Sequence, residues 1–261
     1  MLFSIGRLAA GFAAVILAVQ TAAAAEIKVF STIGVQAALE ELTPKFEKAS
    51  GHKLTITWGT AALLVKRVQA GESADLLVLT KQSLDVLTKD GKASADSDAT
   101  FASSGMAMVV KKGAPKPDIS TPEAFKQTLL KAKTIAYSNP AHGGASGVYL
   151  AKLLERMGIA DQMKDKTKFP PPSGNAANLV VSGEAELAIQ QEPEVMAVAG
   201  VDMVGPLPGD LNNITVFAAG VDSGTKEAVA AKALIKFLHT PEAAAVFKAR
   251  GLVPAAAPKA S

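Results

Sequence analysis

Four stretches of this chain share one arrangement of residue types, and it is an arrangement able to hold negative charge. They are Ser31-Thr32-Ile33-Gly34, Gly59-Thr60-Ala61-Ala62, Gly143-Gly144-Ala145-Ser146-Gly147 and Ser173-Gly174-Asn175-Ala176, each a short loop of small or polar residues leading into a helix start. A helix N-terminus leaves N–H groups without internal partners and carries partial positive charge. Several aimed at one cleft would bind an anion without any Lys or Arg. The same residue types also cap helices, so a single loop of this kind would say little.

Other chemistry is poorly served. His52, His142 and His239 are isolated, with no H-E-x-x-H and no paired metal ligands. His52 and His239 fall at helix ends, where a cation is at home; His142 sits in a glycine-rich loop and is the one to watch. No G-x-S-x-G elbow, Walker A loop or G-x-G-x-x-G occurs. Glu192-Pro193-Glu194 pairs two acids around a proline, which reads as a solvated helix start. Aromatic content is 5%, against a sugar cleft lined with stacking faces.

The elements that must position the loops alternate. Glu26 to Phe30, Lys53 to Trp58 and Ala74 to Leu79 read as strands, the last apolar enough for a sheet covered on both faces. Between them, Val35, Ala38, Leu39, Leu42 and Phe46 recur at helical spacing, and Leu63 to Ala70 forms a second helix. The pattern resumes with strands at Met106–Val110, Thr134–Tyr137 and Ala185–Gln191, and with helices after Thr121-Pro122 and from Val148 to Met157. A strand over Ile214–Val221 and two helices, Glu227–Leu238 and the one after Thr240-Pro241, close the chain. The expected fold class is α/β, with two lobes, each a mainly parallel sheet flanked by helices. The expected division is residues 1–25 as a removed segment, 26–106 as lobe 1, 107–215 as lobe 2 and 216–261 as a return to lobe 1. A ligand would lie between the lobes, where strand ends and helix starts converge.

The removed segment is a signal peptide: Arg7, an apolar run from Leu8 to Val19, then Ala22 to Ala25. The run is about a dozen residues, short of the roughly 20 that span a bilayer. There is no Cys, so neither a lipid anchor nor a disulfide framework is available. With 27 basic against 24 acidic residues and no basic stripe, nucleic acid is not an expected partner. A soluble periplasmic monomer is expected.

Several stretches carry a family resemblance. Val29-Phe30 with its loop and helix, and Leu64 to Leu76 with Gly71 followed by Ala74-Asp75, resemble the periplasmic molybdate-binding proteins of ABC transporters. So do Pro140 to Tyr149, Gly183 to Ile189, Thr240 to Phe247 and Gly251-Leu252. The resemblance implies a type II periplasmic-binding-protein fold closing on a tetrahedral oxyanion, held by serine hydroxyls, backbone N–H groups and one tyrosine. Carried onto this chain, the family's ligand positions fall at Gly34, with Ser31 and Thr32 just upstream, at Thr60 or Ala61, near Ser146, at Ser173 to Asn175, and at Gln191 in place of the tyrosine. The implied function is anion capture for a membrane permease, molybdate or tungstate first and a small carboxylate as the alternative. No cofactor or metal is expected. An enzyme on the same scaffold, using a carboxylate or His142, and a sensor without a transport role are the competing classes.

Overall fold

The computed structural model describes residues 24–172 and 174–256. Residues 1–23 of the expected signal segment, and the expected site residue Ser173, lie outside the described residues. Ala25 already belongs to the fold: its N–H donates to His52 Nδ1 at 3.1 Å, and its carbonyl accepts from the Lys53 N–H at 2.8 Å.

The elements run β1 (Glu26–Thr32), α1 (Gln36–Ser50), β2 (Lys53–Gly59), α2 (Ala61–Gln69), β3 (Leu76–Thr80), α3 (Lys81–Lys89), β4 (Ala99–Ser104), β5 (Met106–Lys111), α4 (Pro122–Lys131) and β6 (Ile135–Ala136). They continue with α5 (Ala145–Arg156), α6 (Ala160–Lys164), β7 (Thr167–Lys168), α7 (Ala177–Ser182), β8 (Leu187–Gln191), α8 (Glu192–Met196) and β9 (Val201–Pro206). Last come β10 (Thr215–Val221), α9 (Ala228–Leu238), α10 (Pro241–Ala249) and β11 (Val253–Pro254).

The strands form two sheets, ordered β11-β4-β10-β3-β1-β2 and β7-β6-β8-β5-β9. In the first, β2, β1 and β3 are parallel, each joined to the next by a helix, while β10 and β4 run antiparallel. In the second, β7, β6 and β8 are parallel and β5 pairs antiparallel with both β8 and β9. Both sheets are therefore mixed rather than mainly parallel. The reason is connectivity: a parallel pair needs a crossover within its own sheet, and β5 and β10 each arrive from the other sheet.

Each sheet is covered on both faces, and alternation along the strands divides the apolar side chains. Ile27, Val29, Leu76 and Val78 pack with α1, α9 and α10, while Phe30, Leu77 and Leu79 pack with Leu64 of α2 and Leu84 of α3. In the second sheet Met106, Met108 and Val110 face Phe125, Leu150 and Leu154, and Ala107 and Val109 face Ala177, Val180 and Val195. Asp75 braces the first sheet. Its carboxylate accepts from the Lys28 N–H at 2.7 Å and from the Thr225 hydroxyl, tying β1 to the loop before α9.

The chain passes from the first sheet to the second at Gly105 and returns between Pro206 and Thr215. Asn212, on the return, fixes the crossing: its Oδ1 accepts from the Met106 N–H at 2.8 Å. A Cβ on Gly105 would lie 2.7 Å from the Asn212 amide and would push it from the Met106 N–H.

Candidate functional site

Between the sheets lies a cleft enclosing about 540 Å³ of empty space, part of it open to solvent. Chain turns line it. Thr32 ends β1 and leads into Ile33 and Gly34, Thr60-Ala61 open α2, Thr80 opens α3, Gly144 to Ser146 open α5, and Gly174 precedes α7, with Ser138-Asn139, His142 and Pro170-Pro171 beside them.

Each turn is held by its own residues. Thr60 and Thr80 are side-chain N-caps, accepting from the N–H groups of Leu63 and Ser83 at 3.3 Å. Gly34 lies against the Phe217 ring: a Cβ there would sit 2.9 Å from Cζ. Gly147 lets the first turn of α5 press onto the Ser138 carbonyl, where a Cβ would lie 2.0 Å from the oxygen. Glycine at these two close approaches lets the helix starts reach the cleft.

The two sides are joined across the cleft. Thr60 Oγ1 donates to the His142 carbonyl at 2.9 Å. Nearby, Gly143 takes φ +71° and approaches so closely that a Cβ would lie 2.5 Å from that of Ala62. At the back, Gln191 at the end of β8 donates through Nε2 to Thr215 Oγ1 of β10 at 2.6 Å. Gln191 is 3% exposed and its Oε1 has no partner. Turning the amide over would let the Thr215 hydroxyl donate to Oε1 and leave Nε2 free instead. Either way one end of a buried amide in the cleft wall has no partner within the protein.

Among the described residues no Lys or Arg lines the cleft; its titratable side chains are His142 and Glu194. Glu194 corrects the expectation of a solvated helix start. The residue keeps some exposure, but protein closes around its carboxyl group, and desolvation pushes its pKa up to about 7 against a weaker opposing hydrogen bond from Gln190. Gln190, fully buried, donates to Glu194 Oε2 through Nε2 while its Oε1 accepts from the Ala176 N–H at 2.8 Å. Glu192, one turn-position back, is also raised by burial but does not line the cleft.

Of the residues read from sequence, Thr32, Gly34, Thr60, Ala61, Ser146 and Gln191 meet at the cleft. Ser31 does not line it: fully buried beneath Thr32, it donates to the Thr32 carbonyl at 3.3 Å, as alternation along β1 requires. Asn175 is turned away from it. Its Oδ1 accepts from the Ala177 N–H at 2.9 Å and its Nδ2 donates to the Glu194 carbonyl at 2.6 Å, so it holds the start of α7 and the Glu194 backbone together. Thr80, Ser138, Glu194 and Thr215 line the cleft without having been read as site residues. Thr80 had a signal, since Leu79-Thr80-Lys81 is the same strand-to-helix turn as the others. His52 is buried and accepts from the Ala25 N–H, and His239 is half-buried at the end of α9, where burial lowers its pKa, against its reading as a cation.

An arrangement of convergent helix starts, hydroxyls and an unpaired amide can enclose a small polar anion and contact it through donors alone. Residues 27–253 match the family model described as bacterial extracellular solute-binding protein. Over 234 residues the chain is 36% identical to the aconitate isomerase of a Pseudomonas species, covering 87% of each chain. It is 27% identical over 228 residues to the molybdate-binding protein ModA of Escherichia coli, covering 87% of this chain and 88% of that one. Among solved structures, the periplasmic molybdate-binding protein of Azotobacter vinelandii superposes with a TM-score of 0.71 at 22% identity, over 87% of this chain and 98% of that one; at that identity it shows the fold alone. The resemblance to the molybdate-binding proteins is borne out. This chain belongs to the bacterial extracellular solute-binding protein family.

Proposed function

We propose that the protein is the periplasmic capture component of an ABC transporter, holding one small anion in the cleft and presenting it to a membrane permease. The observation that supports this most is the convergence of helix starts on a cavity that, among the described residues, no Lys or Arg lines. Such a site neutralises an anion with dipoles and N–H groups and releases it when the lobes part. It works as a monomer, exported through the segment before Ala25, without cofactor or metal and without turnover of its ligand. Molybdate or tungstate is the first ligand class, as for the relative named a molybdate-binding protein. Thermal denaturation of the purified protein in molybdate, tungstate, sulfate, citrate and trans-aconitate tests it. One class of anion raises Tm by several degrees; no shift with any of them overturns the reading.

A second reading, a carboxylate ligand and chemistry upon it, has its own support. The relative at 36% identity is named an aconitate isomerase, and isomerising such a ligand moves a proton. Glu194, with its pKa near 7 in the cleft wall, is suited to giving and taking one. Incubation with trans-aconitate followed by proton NMR separates the two readings: conversion establishes an enzyme, and binding without conversion leaves capture standing.

A further inference from the structure

Resting on the anion-capture reading, one feature of the cleft points further, to the state in which the anion is recognised. An anion offers the protein acceptor atoms, so every group it touches must donate. The helix starts and the Thr32 and Ser146 hydroxyls meet that demand, while the Thr60 proton is already given to the His142 carbonyl and an ionised Glu194 has none to give. Its Oε2 is taken by Gln190, and Oε1 faces Gly34, where a Cβ would lie 3.7 Å away. Gln190 is itself anchored by the Ala176 N–H, which keeps the carboxyl from turning out of the wall. On the same wall, the buried Gln191 leaves one end of its amide without a protein partner, an independent sign that a polar ligand completes this side.

The charges around Glu194 do not favour its ionised form. Glu40 of α1 shares with it the hollow behind Gly34, and Glu192 lies on its own helix. From β8 come Gln190 and Gln191, and from the Ile33–Val35 turn nothing charged. Lys111 and Asp202, on β5 and β9, lie toward the far end of the sheet from the Met106–Gln191 pair beside α8. His142 faces it from the α5 side of the cleft.

We propose that Glu194 is a ligand-recognising residue that acts as a neutral carboxylic acid, donating a hydrogen bond from Oε1 to the bound anion, so that each anion enters the cleft with one proton. The O–H bond stays with Glu194 and no covalent bond to the ligand forms. The raised pKa fits this role: near neutrality the acid is already half neutral, and a bound anion raises it further. Capture therefore selects against pairing an anion with an ionised acid and becomes weaker in alkali.

Isothermal titration calorimetry with sodium molybdate and sodium trans-aconitate, in buffers of different ionisation enthalpy at about pH 7, 8 and 9, tests this on the wild type and on Glu194→Gln, Glu192→Gln and His142→Gln. Expected for the wild type is uptake approaching one proton per anion at pH 9, and a Kd at least about tenfold weaker there than at pH 7. Glu194→Gln takes up no proton, loses the pH dependence and binds more tightly than the wild type at pH 9, while Glu192→Gln behaves as the wild type. Binding with no proton uptake, or with pH dependence abolished by Glu192→Gln or His142→Gln rather than by Glu194→Gln, overturns the assignment and leaves anion capture intact. Absence of binding by either anion at every pH overturns both.

Discussion

The Thr60 hydroxyl does two things at once: it accepts from the Leu63 N–H at 3.3 Å to cap α2, and it donates to the His142 carbonyl at 2.9 Å across the cleft. One oxygen thus sets a helix start and holds the opposite lobe to it. Replacing it by valine, similar in shape, should remove both interactions and lower stability by about 1 kcal/mol. Serine should preserve them. Chemical denaturation of Thr60→Val and Thr60→Ser checks this, together with small-angle scattering, where the valine variant should be the more expanded.

Gln191, in the cleft wall, ties β8 to β10 through Thr215 and leaves its other end without a protein partner. Gln191→Ala should keep the fold but weaken anion binding by about tenfold, one lost hydrogen bond in a covered site. Titration beside a melting curve reads the two effects separately; equal affinity would remove Gln191 from the ligand's contacts.

Glu194 makes stability depend on pH with a definite sign. Its pKa is about 7 in the folded chain against an ordinary 4.5, so folding favours the neutral form. The protein should lose stability as pH rises from about 4.5 to 7 and no further above it on this group's account. Glu194→Gln should be more stable than the wild type at pH 8, by about 1–3 kcal/mol, and equal to it near pH 4. Urea denaturation at both pH values measures the difference.

Asp75, Lys28 and Thr225 do not line the cleft, and Asp75 is a structural acid that accepts from the Lys28 backbone N–H and the Thr225 hydroxyl. Asp75→Ala should cost about 2 kcal/mol of stability, with anion affinity unchanged in the folded fraction.

Gly147 has no room for a methyl group, which would lie 2.0 Å from the Ser138 carbonyl oxygen. Gly147→Ala should push the start of α5 off the cleft and lose ligand binding even where circular dichroism shows the helices retained.

What the sequence disclosed follows its physics. β1, β2, β3, β5 and β8 were readable as short apolar or β-branched runs, and the helix starts as turns of Thr, Ser and Gly. β4, Ala99–Ser104, carries only Phe101 as a large apolar side chain, and β9 contains Asp202 and the positive-φ Gly205, so neither alternates cleanly. Thr32, Gly34, Thr60, Ala61, Ser146 and Gln191 were found because local grammar and family resemblance coincide at them. Glu194 was misread because its burial is not local. An acid after proline is an ordinary exposed helix start until α8 is packed against the Ile33–Val35 turn and α1, elements far apart in the chain that no window of sequence contains together.

The central claim, that one anion sits among the helix starts without a Lys or Arg partner, is tested most directly by a crystal structure of the protein with its stabilising anion. The account predicts a single anion within hydrogen-bond distance of the α2 and α5 starts, of Gln191 and of Glu194. An anion held elsewhere on lysine or arginine side chains, with this cleft left to water, would contradict it.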